Sequence, residues 1–206
     1  MGYDFELWRK RHIERNDLSS ELVHLTRSTE SKSSIENLYQ ILESKILNGS
    51  KNTGFIVGET PAVCFQDAPL YTVGQNCWFE KTFREENKWA KKRYDPTGLI
   101  FKKQYIYSNG GRPVIYDSTE SAKAYLDKRE WWRIVNFNLT DNSSIIDWTH
   151  EREWRVPIEL KFELADVVLL FANNSDVNKF MKLCDASETQ FYREVRGITT
   201  MESIIC

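Results

Sequence analysis

The apolar runs of this chain are short and unevenly spaced, and they allow no regular strand-helix-strand repeat. Strand character, by alternation or by β-branched and aromatic content, falls on ELVHLT (21–26), AVCF (62–65), GLIFKKQYIY (98–107) and the end of SNGGRPVIY (108–116). It returns in EWRVPIEL (153–160), DVVLLFA (166–172) and a short terminal piece near 196–200. In SSIENLYQILESKIL, Ile35, Leu38, Ile41 and Leu42 recur at helical spacing behind Ser34 as a cap, and NGSKNTG (48–54) ends that helix. Further helices are expected over 117–131 and near 175–184, and FEKTFREENKWAKKR (79–93) reads as a charged helix or loop. SNGGRPVIY reads as a hairpin turn rather than a phosphate loop, because neither GxGxxG nor GxxxxGK[ST] is present. The mixture predicts an α+β protein with a largely antiparallel or mixed sheet core.

A chain of 206 residues suits one domain, 1–206, with residues 1–19 as an N-terminal helical extension. Basic and acidic residues nearly balance, 28 against 30, so a nucleic-acid contact has to come from a local patch and not from bulk charge. KWAKKR (88–93), FKKQY (101–105) and Arg112 are the candidates for such a patch, with aromatics interleaved as stacking surfaces require. No signal peptide or membrane-spanning run is read, and Cys64, Cys77, Cys184 and Cys206 lack metal-site spacing. The expectation is a cytoplasmic chain with free thiols, no metal and no membrane partner.

Three clusters carry polar chemistry inside apolar surroundings. In EREWRV, Glu151 and Glu153 are two apart and would share one side of an extended segment, opposite Arg152 and Trp154. Two such carboxylates can divide labour, one stabilising a cationic centre and the other accepting a proton. Taken alone, the spacing favours a solvent-facing edge strand whose glutamates pair with Arg152 and Arg155. His24 and Thr26 fall on one face of the first strand with Leu22, where a ring nitrogen and a hydroxyl could bond a ribose or an amide. Asp67, in CFQDAPL, reads as a strand-end aspartate bonding the turn backbone, and Cys64 as a buried thiol.

Taken in order, LVHLTR…IENLYQIL, AVCFQDAPL, YDPTGLIFKKQYIYSNGGRPVIY and HEREWRVP resemble the succession in the AbiGi family of abortive phage-resistance proteins, over residues 20 to 157. The layout is also similar to the DarT class of ADP-ribosyltransferases, with an early histidine strand and a late glutamate. The resemblance implies an ADP-ribosyltransferase-like fold and NAD as co-substrate. It implies an antiphage or toxin-antitoxin effector that modifies a nucleic acid or protein, nucleic acid preferred, with a cognate antitoxin as a further partner. By the same resemblance His24 and Thr26 contact NAD with Tyr71 or Tyr94, Glu153 is the catalytic glutamate, Glu151 is the first carboxylate of an E-x-E pair, and Arg27, Lys102 or Lys103 substitutes for the phosphate-binding arginine of the DarT class. Lys102, Lys103, Arg112 and Arg155 are then the substrate-binding cations. Glu153→Ala is expected to abolish transfer and leave the fold intact. The DarT class carries an arginine in the turn where this chain has Gln66 and Asp67, and its central tyrosine matches no motif, leaving Tyr71, Tyr94 and Tyr116 all open. A non-catalytic interaction module of a phage-defence operon and an NAD glycohydrolase are the alternatives.

Overall fold

In the computed structural model, which describes residues 2–51 and 55–202, the chain begins with α1 (Phe5–Ile13), β1 (Glu21–Leu25), α2 (Ser34–Ser44) and β2 (Ile46–Asn48). Next come β3 (Ala62–Phe65), the long helix α3 (Leu70–Glu86), β4 (Gly98–Lys102) and α4 (Lys103–Ser108). The middle holds β5 (Arg112–Pro113), β6 (Ile115–Asp117), α5 (Thr119–Tyr125) and β7 (Ile134–Asn136). The last third adds β8 (Trp154–Pro157), β9 (Glu159–Lys161), β10 (Val167–Phe171), α6 (Asn174–Ala186), α7 (Phe191–Glu194) and β11 (Gly197–Thr200). The fold is α+β, with antiparallel and mixed sheets. Two compact units divide it, one of residues 1–45, 68–102 and 162–206, the other of residues 46–67 and 103–161.

The first unit is built on a four-stranded sheet in the order β1-β4-β10-β11, antiparallel except for the parallel pair β10–β11. Side chains alternate across it. Val23, Ile100 and Leu170 meet Val73 and Cys77 of α3 on one face, together with Ala68 and Met201. The alternate residues Leu22, Leu99, Phe101, Leu169 and Phe171 are buried on the other, where Phe180 of α6 lies against Phe171. Burial on both faces explains the unbroken apolar run of β10. α2 begins with a reciprocal cap: the Ser33 hydroxyl accepts from the Glu36 N–H at 3.2 Å, and the Glu36 carboxylate accepts from the Ser33 N–H at 2.7 Å.

The second unit holds the antiparallel pair β2–β9, the antiparallel sheet β3-β8-β5 and the parallel pair β6–β7. Its buried apolar residues include Leu47, Phe65, Ile106, Ala122, Trp132, Ile134, Val156 and Leu160.

Several expected elements are divided. The strand expected over 98–107 stops at Lys102, and Lys103 starts α4, which turns Ile106 inward. SNGG does not join a hairpin: Gly110 (φ +85°) and Gly111 close α4 onto the carbonyls of Tyr107 and Ile106, and β5 and β6 pair with different strands. The helix expected over 117–131 ends at Tyr125, and Asp127 caps a separate 3-10 helix, Lys128–Arg133. The strand expected over 153–160 breaks at Ile158, whose φ of 69° separates β8 from β9. The cap of α2 is Ser33 in place of Ser34, and the helix ends at Lys45 in the left-handed conformation. Residues 52–54 of NGSKNTG and Cys206 lie outside the described residues.

Gly98 sits between Leu25 and Leu170 in the sheet, and a Cβ there would collide with the His24 carbonyl oxygen. Gly98→Ala is therefore expected to cost about 1–3 kcal/mol, as overpacking does. The check is the urea unfolding midpoint, and an unchanged value would contradict this strand approach.

Candidate functional site

In the second unit, β8 sets Arg155 opposite Cys64 of β3 on one side and Arg112 of β5 on the other. Arg155 is the largest fully buried side chain, 1% exposed. Its Nε donates to Glu153 Oε1 at 2.8 Å and its Nη2 to Glu153 Oε2 at 3.2 Å. Nη1 donates to the carbonyls of Trp132 at 2.7 Å and Ile134 at 3.0 Å, and Nη2 also to that of Phe55 at 3.2 Å. A guanidinium carries five N–H donors, so every one of them meets an acceptor of the chain. Arg155, expected to bind substrate, is instead committed to the interior. The expected solvent-facing strand of paired charges is corrected as well, because Glu153 is only 7% exposed.

The relation expected between the two glutamates changes for a local reason. Glu151 closes a 3-10 turn, Thr149–Glu151, and Arg152 has a φ of 46°, so residues 151–153 are not extended and do not alternate. Glu153 is nevertheless held on three sides. Its carboxylate takes Arg155, its N–H donates to the Tyr116 hydroxyl at 2.8 Å, and its carbonyl accepts from the Val114 N–H at 3.0 Å. Burial raises the Tyr116 phenol well above its ordinary value, against the pull of that N–H, and the charges of Glu153 and Glu151 add to the rise. Burial, followed by the Glu153 carboxylate, pushes the Cys64 thiol up in the same way, with Arg155 opposing. Cys64 is therefore a protonated thiol at neutral pH and not an activated nucleophile.

Asp67 does not serve its turn as a strand-end aspartate. Its Oδ1 meets Lys103 Nζ at 2.7 Å and its Oδ2 accepts from Trp154 Nε1 at 3.2 Å, while the Lys103 ammonium stands 6.0 Å from the Trp154 ring centre. Lys103, expected to meet substrate, is thus paired and only 15% exposed. Arg112 stacks over the Tyr107 ring at 4.1 Å and gives Nη1 to the carbonyls of Tyr107 and Gly111.

The remaining expected residues belong to the first unit. His24 lies on the Leu22 and Leu99 face of the sheet, half-buried. Thr26 is buried and its hydroxyl donates to the Thr97 carbonyl at 3.0 Å. Arg27 is exposed, with Nη1 3.4 Å from the Lys92 carbonyl, and Lys102 is exposed at the end of β4. Tyr71 is 58% exposed on α3, whereas Tyr94 packs against the apolar core of the sheet. Tyr116, not Tyr71 or Tyr94, is the tyrosine that touches Glu153. Among the described residues, no group of three or more His, Cys, Asp or Glu side chains could hold a metal ion, and no helix is long and apolar enough to cross a membrane. Comparison with family models, with curated proteins and with solved structures finds no match.

What these groups can do is limited and definite. Arg155 fixes the Glu153 carboxylate in one orientation, and the Cys64 thiol hydrogen-bonds the same carboxylate. A fixed carboxylate beside a protonated phenol suits electrostatic stabilisation and hydrogen bonding, not nucleophilic attack. Removing it has a structural consequence: Glu153→Ala leaves Arg155 buried without its counter-charge, which costs about 3–5 kcal/mol. The earlier expectation that this variant keeps its fold intact is therefore revised. In a double-mutant cycle with Arg155→Met, the two substitutions together should cost less than their sum by about 0.5–3 kcal/mol. Strict additivity in urea unfolding would contradict the pairing.

A pH dependence follows from Cys64. A thiol whose folded pKa is raised contributes stability that is complete below the unfolded value and declines as pH rises above it. Stability should therefore fall from about pH 8.5 upward, and Cys64→Ala should flatten that decline. Identical alkaline limbs for the two proteins would contradict the upward shift of the Cys64 thiol.

Proposed function

We propose that the chain is an NAD-dependent ADP-ribosyltransferase, an effector of a bacterial antiphage or toxin-antitoxin system that modifies a macromolecule, nucleic acid before protein. The ordered resemblance to the AbiGi and DarT groups supplies the reaction class. The observation that carries it to particular residues is the contact of the Tyr116 hydroxyl with the Glu153 N–H, 2.8 Å. It supports Tyr116 as the tyrosine that accompanies the late glutamate. In the reaction the bond between ribose C1′ and the nicotinamide nitrogen breaks, and its electron pair leaves with nicotinamide. The Glu153 carboxylate stabilises the oxocarbenium-like ribose. An acceptor oxygen or nitrogen then bonds C1′ while its proton passes to Glu151. Arg155 is a positioning residue for Glu153.

A second reading, a non-catalytic partner-binding module, is favoured by one observation. The Glu153 charge is already balanced by Arg155 in a bidentate pair, which weakens its pull on an external cation.

Glu153→Asp separates the two, because it keeps a negative charge beside Arg155 while withdrawing the carboxylate by one methylene. Wild type and variant are incubated with NAD labelled on the adenylate phosphate and with a lysate fractionated into protein, RNA and DNA. The expected outcome is label in one fraction, reduced roughly 100-fold or more in the variant, with melting temperatures that show both proteins folded. NAD consumption with free ADP-ribose and no labelled fraction would assign hydrolysis, and intact NAD with no label would assign the binding module.

A further inference from the structure

Glu151 and Glu153 are carried by a stretch that is not continuous helix or sheet. The 3-10 turn ends at Glu151 and β8 begins at Trp154, so Arg152 and Glu153 belong to neither. Arg152 has a φ of 46°, a left-handed conformation that a residue other than glycine keeps only where its surroundings enforce it. Arg155 and Tyr116 act on Glu153, after that turn.

Asp67 closes on the turn from both ends. Beyond Phe65, which pairs with Trp154 at the end of β3, the chain continues so that the Asp67 N–H donates to the Glu151 carbonyl at 3.2 Å. The Asp67 carboxylate reaches the other end and accepts from the Trp154 indole N–H at 3.2 Å. One residue thus bonds to both residues that flank Arg152 and Glu153. Lys103, the first residue of α4, secures it: the ammonium lies 2.7 Å from the second carboxylate oxygen and 6.0 Å from the Trp154 ring centre. The Lys103 and Asp67 side chains are 15% and 18% exposed, which removes the pair from much of the screening that makes surface pairs weak. An aspartate at a strand end ordinarily bonds its own turn. Asp67 instead directs both oxygens to Trp154 and Lys103, and three separate segments converge on the turn at Arg152.

We infer that Asp67 is a positioning residue. Through the Glu151 carbonyl and the Trp154 indole it enforces the left-handed turn, and so sets the place of Glu151 relative to Glu153. The catalytic consequence rests on the proposed transfer, in which Glu151 accepts the proton. The geometric claim is measured without NAD, so each can fail alone.

The test is amide hydrogen exchange by NMR on wild type, Asp67→Ala, Asp67→Asn and Trp154→Phe, followed by NAD turnover on the same proteins. In Asp67→Ala the Arg152 and Glu153 amides should exchange roughly 10-fold faster or more, with the amides of the β2–β9 pair in the same unit unchanged. Asp67→Asn keeps an oxygen for the indole and should lie between Ala and wild type. Trp154→Phe removes only the indole donor and is read in the same way if Asp67→Ala does not fold. In turnover, kcat should fall about 10- to 100-fold in Asp67→Ala, with KM for NAD within about twofold. Unchanged exchange at Arg152 and Glu153 would overturn the inference, and so would an equal rise in the β2–β9 pair, which marks a general loss of stability. An Asn variant no better than Ala, or undiminished kcat in an active enzyme, would overturn it too. Wild type that leaves NAD intact would refute the transfer reading, while local exchange still decides the role of Asp67.

Discussion

The second unit depends on one buried arginine. Arg155 brings a full positive charge to 1% exposure, a burial that is strongly unfavourable unless every donor is met and the charge is balanced. Both conditions hold, with Glu153 supplying the charge and the carbonyls of Phe55, Trp132 and Ile134 the remaining acceptors. Because those carbonyls come from separated stretches, the one side chain ties β8 to the segment after β2 and to the residues around the start of β7. It also fixes Glu153, whose N–H then holds Tyr116. Structural need and candidate chemistry thus converge on the same carboxylate, and that is why activity and stability have to be read together in any Glu153 variant.

Much of the layout was legible where local pattern and tertiary environment agree. AVCF, DVVLLFA and the helix near 175–184 are close to β3, β10 and α6, because β-branched runs and helical spacing there coincide with two-sided or one-sided burial. Divisions inside the expected elements were not legible. Ile158 at φ 69° is a conformation that a β-branched residue does not favour, so in EWRVPIEL only Pro157, just before it, hints at the break. Lys102 and Lys103 did disturb the strand pattern, but only packing of Ile106 turns the disturbance into a helix.

The site was legible in part for a similar reason. The glutamate and arginine of EWR are two apart, and the alternation used to group Glu151 with Glu153 also puts Arg155 beside Glu153, a signal available in the string itself. The left-handed Arg152 that removes Glu151 from that row is visible only in three dimensions. Cys64 reaches Arg155 through the β3–β8 pairing, whereas Tyr116 reaches Glu153, and Asp67 reaches Lys103 and Trp154, through side-chain contacts across long sequence separations. Single-sequence periodicity carries no information about such pairings.

The most direct measurement of the central claim, that the Glu153 region is built to act on NAD, is the melting temperature of the wild-type protein as NAD is raised. A ligand that binds only the folded state adds about 2.7 kcal/mol at 100 times its dissociation constant, so the account predicts a melting temperature that climbs with NAD concentration. A melting temperature that stays flat through millimolar NAD, while the protein remains folded, would contradict it.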